Sequence, residues 1–170
     1  MRVLGIDPGT AVLGYGVVES GTGPQARLIE CGILTTAARD TLPVRLRVLY
    51  DGTAALLSRH VPDAVAVESA FYGKNVRTTV VLSHARGVIL LAAEQAGVAI
   101  AEYSPAQVKK TVVGRGAALK PQVAYMVAQL LRLKTPPQPA DAADGVAVAL
   151  THVLIAGRRN AFFRQVTGAR

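Results

Sequence analysis

The period of apolar positions changes several times along the 170-residue chain, and each change marks a predicted element. Arg2–Asp7 (RVLGID) reads as a strand ending on an acid, and Asp7-Pro8-Gly9-Thr10 as a tight turn. Leu13–Glu19 alternates and predicts a returning antiparallel strand. A loop at Gly21-Thr22-Gly23-Pro24 precedes a third strand over Leu28–Thr35. From Leu42 to His60, leucines 42, 46, 49 and 56 or 57 recur at helical spacing until Pro62-Asp63 breaks the pattern. Ala64–Glu68 (AVAVE) is almost wholly apolar, as in a strand covered on both faces. A polar loop over Ser69–Arg77 leads to a long helix, Thr78–Ala96, with small residues Ser83, Ala85 and Gly87 at its middle. Val98–Tyr103 predicts a fifth strand, and Ser104 an N-cap for a short helix through about Val113. Beyond the basic Gly114-Arg115-Gly116 loop come a helix over Pro121–Leu133, a Pro-rich connection and a last helix over Ala140–Gly157.

The order βββαβαβ, then helices, predicts an α/β fold. Its five-stranded mixed sheet combines a three-strand antiparallel meander with parallel strands, flanked by helices on both faces. Residues 1–157 are expected to form one domain, and the basic tail 158–170 to be loose. The 51% hydrophobic content supplies a core, and one cysteine permits neither an internal disulfide nor a multi-Cys zinc site. That usage fits a reducing, cytoplasmic compartment. No apolar run approaches the roughly 20 residues of a membrane span, so no membrane role is expected.

The net charge of +8 is unevenly distributed. Residues 1–68 sum to −1 and the remainder to +9, with no acid between Glu102 and Asp141 or after Asp144. A basic half of this kind suits a polyanion, most commonly nucleic acid, although a basic solvated surface without a target has the same composition.

Against that background the acids stand out. Asp7 and Glu68 each end a predicted strand, at the sheet edge where α/β sites gather. If the first and fourth strands are neighbours, the two lie side by side. Asp141 and Asp144, three apart on one helix, share a face. Taken singly, each acid has an ordinary structural use, in a turn, a solvated strand end or a first helical turn. Four carboxylates converging would repel, by about 4 kcal/mol per pair at 4 Å and an effective dielectric of 20, unless protonated or neutralised by cations. All-oxygen donors suit Mg²⁺ or Mn²⁺, and two such ions can serve phosphodiester hydrolysis. Lys109 and Lys120 flank the Gly114–Gly116 loop and could meet phosphates or simply be solvated. Phe71 and Tyr72, followed by Lys74, Asn75 and Arg77, could stack on bases and hold a strand, or anchor the loop in the core. Lys110 and Arg115 extend the basic surface. His60, His84 and His152 are scattered, with His152 read as structural and Cys31 as a buried apolar residue.

The motifs GIDPGT (Gly5–Thr10), GYGV (Gly14–Val17), AVE (Ala66–Glu68), FYGKN (Phe71–Asn75), ARGV (Ala85–Val88), QVKKTVVGRG (Gln107–Gly116) and ADAADGVAVALTH (Ala140–His152) follow one another in order. Together they resemble the RuvC family of bacterial Holliday junction resolvases, within the RNase H-like (retroviral integrase) superfamily. The resemblance implies a homodimeric, metal-dependent endonuclease that nicks four-way DNA junctions symmetrically, with two Mg²⁺ (or Mn²⁺) per site. It implies metal binding and catalysis by Asp7, Glu68, Asp141 and Asp144, catalytic support from Lys109 and Lys120, and junction stacking by Phe71. Cooperation with the RuvA–RuvB branch-migration complex belongs to the same implication. Two other readings keep a place: an actin-like or Hsp70-like ATPase, for whose phosphate loop Gly5–Thr10 would serve, and a non-catalytic DNA-binding module on the same fold.

Overall fold

Strict alternation in the first seven residues sends Val3, Gly5 and Asp7 to one face of a sheet and Leu4 and Ile6 to the other. The computed structural model describes residues 1–21, 25–69 and 76–167, with side chains through residue 157. Strands β1 (Arg2–Asp7), β2 (Val12–Ser20) and β3 (Ala26–Thr35) form the antiparallel meander. Strands β4 (Ala64–Glu68) and β5 (Ala99–Tyr103) join in parallel, giving the order β3-β2-β1-β4-β5. The expected five-stranded mixed sheet is therefore present, and β1 and β4 are neighbours.

Helices cover both faces. On one, α1 (Leu42–His60) and α2 (Val76–Gln95) close over Leu4, Ile6, Val65 and Val67. On the other, α3 (Pro105–Val113), α4 (Lys120–Leu130) and α5 (Ala140–Thr167) pack with Val3, Val18 and Ala66. Ser104 caps α3 as expected, its hydroxyl accepting the Gln107 N–H at 3.2 Å.

Several boundaries differ from the sequence expectation. β2 and β3 begin earlier, at Val12 and Ala26, because cross-strand pairing extends the ladder to Val12 opposite Thr35 and Ala26 opposite Ser20. α2 starts at Val76, so Arg77 lies in a helix rather than a loop. α4 runs from Lys120 and stops at Leu130, and just beyond it Arg132 adopts φ 53°, a left-handed conformation that cannot continue a helix. The last helix, expected to end at Gly157, continues to Thr167. Gly157 costs an α-helix only about 1 kcal/mol and no proline follows it, so nothing in the sequence terminates α5 there.

Apolar length was also underestimated. Val76–Gln95 and Ala140–Gly157 reach a mean hydropathy of 1.3 over a span-length window. Packing accounts for the second, since α5 contributes Ala147–Leu150 to the core, whereas α2 buries Ala85, Ile89, Ala92 and Ala93 and leaves Val76, Val80 and Leu91 exposed.

The seating of α5 on the sheet is set by missing side chains. A Cβ on Gly5 would lie 2.2 Å from the Ala149 nitrogen, one on Gly14 1.8 Å from the Asp141 carbonyl oxygen, and one on Gly145 2.5 Å from the Tyr15 Cα. Gly5 pairs with Gly16 and Asp7 with Gly14 across β1–β2, so the glycines form a bare patch that α5 rests on directly. This contact brings the first turns of α5 to the end of β1.

Candidate active site

Asp7 and Glu68 are brought together by strand register. β1 and β4 pair in parallel through Ile6 and Val67, and one further residue on each strand places Asp7 beside Glu68. Gly5 and Ala66 precede them by two positions and face α5, so both acids point to that same face. From the other side, α5 presents Asp144. Asp7, Glu68 and Asp144 line one cavity of about 120 Å³, which also takes Lys109 from α3 and Lys120 from α4, over an apolar floor of Val108, Val123 and Ala147. Five charged groups from five separate elements thus meet at one point.

Asp141 lies one turn before Asp144. It does not line this cavity, yet its charge is among those felt by Asp7. Lys120 Nζ donates to Asp144 Oδ2 at 2.5 Å. The lysine is the first residue of α4, whose start is fixed by the Leu119 N–H donating to Gln122 Oε1 at 2.9 Å.

Crowding of like charge away from water perturbs the acids. Burial first, then the Asp144 charge, pushes Asp7 up from 3.8 to about 6; Asp141 adds to this and Lys120 opposes it. Glu68 rises from 4.5 to about 7 through burial and then the Asp7 and Asp144 charges, against the pull of Lys120 and Lys109. Lys120 is raised, chiefly by its hydrogen bond to Asp144. Burial and like charge together thus make ionisation of these two acids costly despite the nearby lysines.

The donor set in this notch is carboxylate oxygen alone, which suits a hard divalent cation. Among the described residues, no three His, Cys, Asp or Glu side chains stand arranged to hold one ion without adjustment. Asp144 is turned onto the Lys120 ammonium. The acids fit such ions in the chemistry of their donor oxygens.

The other residues singled out in the sequence fall elsewhere. Lys110, Arg115 and Arg77 are exposed and do not line the cavity. Phe71, Tyr72, Lys74 and Asn75 lie outside the described residues. His152, read as structural, has its Nδ1 2.8 Å from the Tyr103 hydroxyl. Cys31 is half-buried at the margin of the core rather than inside it, with its thiol pushed up by burial. A second cavity of about 200 Å³ shares Asp7 and Glu68 and is closed by Ser69, Leu82, Arg86 and Pro105. Arg86, which forms an ion pair with Glu102, was the one charged residue of the ARGV motif and received no role from the sequence.

Comparison with known proteins gives the family. The family model "Crossover junction endodeoxyribonuclease RuvC" matches residues 3–152. The chain is 49% identical over 153 residues to the crossover junction endodeoxyribonuclease RuvC of Syntrophomonas wolfei, covering 90% of this chain and 88% of that one. Thermus thermophilus RuvC superposes with a TM-score of 0.86 at 39% identity, covering 93% of this chain and 96% of that one. The same enzyme in complex with Holliday junction substrate superposes with a TM-score of 0.85 at 35% identity and the same coverage. The chain belongs to the RuvC family of crossover junction endodeoxyribonucleases.

Proposed function

We propose that this protein resolves four-way DNA junctions during recombination and repair, by divalent-metal-dependent nicking of two strands of like polarity. The observation that carries the reading is the meeting of Asp7, Glu68 and Asp144 with Lys109 and Lys120 around one cavity, in a chain of the RuvC family. A relative of the same fold, from Thermus thermophilus, has been solved on a Holliday junction.

Asp7, Glu68, Asp141 and Asp144 are assigned as ligands for two Mg²⁺ or Mn²⁺ ions, which when bound supply Lewis-acid stabilisation and an acidified water. The remaining chemistry belongs to the chain. Lys109 and Lys120 neutralise the phosphate presented to the notch, where a low dielectric makes each charge count for more than it would in water. The apolar floor of Val108, Val123 and Ala147 limits access of bulk water from below. Exposed Lys110, Arg115 and Arg77 hold flanking phosphates, and Phe71 stacks on bases at the junction centre, with Tyr72, Lys74 and Asn75 beside it.

A junction offers two symmetric cut sites, and a two-fold dimer supplies two matching notches. The seam is assigned to the outer face of α2. There an apolar groove of about 640 Å³ runs along Val76, Val80, Ser83, Gly87 and Leu91, with Leu46 of α1 at its side. Val76, Val80 and Leu91 are exposed, and no atom approaches a Cβ placed on Gly87. Of the small residues noted in the sequence, Ser83 and Gly87 line this groove; Ala85 does not, being fully buried in the core. Cooperation with a RuvA–RuvB complex and a cytoplasmic setting complete the proposal.

The test is a synthetic four-way junction beside a linear duplex of the same sequence, with and without Mg²⁺. Paired nicks confined to the junction and dependent on metal are expected. Junction binding without cutting would leave a DNA-binding module, and tight ATP binding would favour the ATPase reading.

A further inference from the structure

We propose that Lys120 is the resident cation of the acidic notch: its ammonium occupies on Asp144 the place that a divalent ion takes over, and ion binding releases it toward the substrate backbone. The inference rests on the metal-dependent reading above and adds an exchange step to it.

The geometry supports exchange rather than a fixed bridge. Nζ of Lys120 contacts Asp144 Oδ2 at 2.5 Å, while the lysine side chain is 71% exposed and that of Asp144 only 18%. The carboxylate is thus held by the fold, and the ammonium reaches in from solvent on a long stem that can swing away. Lys120 also sits where a helix least favours a cation, at the first residue of α4, whose N-terminal end carries positive partial charge. What holds the ammonium is the notch, not the helix. Its field reaches the whole cluster, since it opposes the upward shifts of both Asp7 and Glu68. Lys109 lines the same cavity yet is paired with none of these acids in the described hydrogen bonds and ion pairs. The two lysines therefore divide the work: Lys109 contributes charge at a distance, and Lys120 holds one of the carboxylates outright.

The exchange breaks one ammonium–carboxylate contact and forms a metal–carboxylate bond, with no proton or electron transferred. Removing a competing cation must therefore tighten ion binding. The experiment measures Mg²⁺ binding to the full chain, free of DNA, by titration calorimetry for the parent, Lys120→Met and Lys109→Met. Direct exchange predicts that Lys120→Met binds Mg²⁺ roughly fivefold or more tightly than the parent, the factor expected for losing one competing ion pair, and that Lys109→Met gains less than about twofold. Equal gains in the two variants, or none in Lys120→Met, would overturn the exchange while leaving the metal site in place. Failure of all three proteins to bind Mg²⁺ would overturn the metal-dependent reading itself. Should Lys120→Met not fold without the ion, recovery of its thermal transition by Mg²⁺ supports the exchange, and failure to recover refutes it.

Discussion

Neutralising Asp7 should stabilise the metal-free protein, although the same change removes cleavage. Burial and the neighbouring acids lift this carboxyl from 3.8 to about 6. At 1.36 kcal/mol per unit, a shift of about two units costs the fold about 3 kcal/mol once the group is ionised. The carboxyl is only partly shut off from water, and solvent screening leaves about 2 kcal/mol. The sign follows from proton linkage. The folded protein binds this proton more tightly than the unfolded chain, so its contribution is most favourable below about pH 4 and is lost as the pH rises through about 6. Asp7→Asn keeps the shape and removes the charge. Urea unfolding in EDTA at pH 7.5 should show the variant more stable by about 2 kcal/mol, or about 5 °C in melting temperature. At pH 4 the gain should fall toward zero, because Asp7 is then largely protonated in the folded parent. With Mg²⁺ the order should reverse, since the parent gains binding energy that the variant forgoes. A variant no more stable than the parent at pH 7.5, or a gain that persists unchanged at pH 4, would refute the account of Asp7 as a buried carboxyl whose ionisation costs the fold.

Three other outcomes are expected. Gly14→Ala places a methyl group where the Asp141 carbonyl oxygen lies 1.8 Å away, so α5 must shift; about 1–3 kcal/mol of stability and on the order of 100-fold in cleavage should be lost with junction binding retained, as unfolding curves and single-turnover rates will show. Val80→Asp puts a charge into the α2 groove, and sedimentation should find a monomer that melts close to the parent temperature because the residue is already 49% exposed. Phe71→Ala should reduce base unstacking at the junction centre, read from a base-analogue fluorophore as a smaller signal at saturating protein, with salt dependence unchanged.

Much of the fold was open to reading because its elements have distinct periods. The alternation in RVLGID and the apolar AVAVE run predict two strands, and their parallel pairing places Asp7 and Glu68 at one edge. The i, i+3 spacing of Asp141 and Asp144 likewise follows from a helix that the sequence announces. Side-chain partners between distant elements were not legible in the same way. That Asp144 lines the cavity while Asp141 stands outside it depends on how α5 is turned, and no periodicity encodes that rotation. The Lys120–Asp144 contact joins two helices 24 residues apart and has no local signal. Arg86 was hidden because its relevance comes from a cavity shared with Asp7 and Glu68. The end of α5 was placed at Gly157, where a glycine costs a helix only about 1 kcal/mol, and the helix continues to Thr167.

The bare patch under α5 bears on how such an enzyme can change. Distances among the acids are gauged by backbone resting on backbone, with Gly5 against Ala149 and Gly14 against Asp141, and no side chain lies between to be trimmed or exchanged. The spacing of these acids is therefore sensitive to any atom added in this seat. A single added methyl group in this seat acts on the placement of carboxylates several residues away.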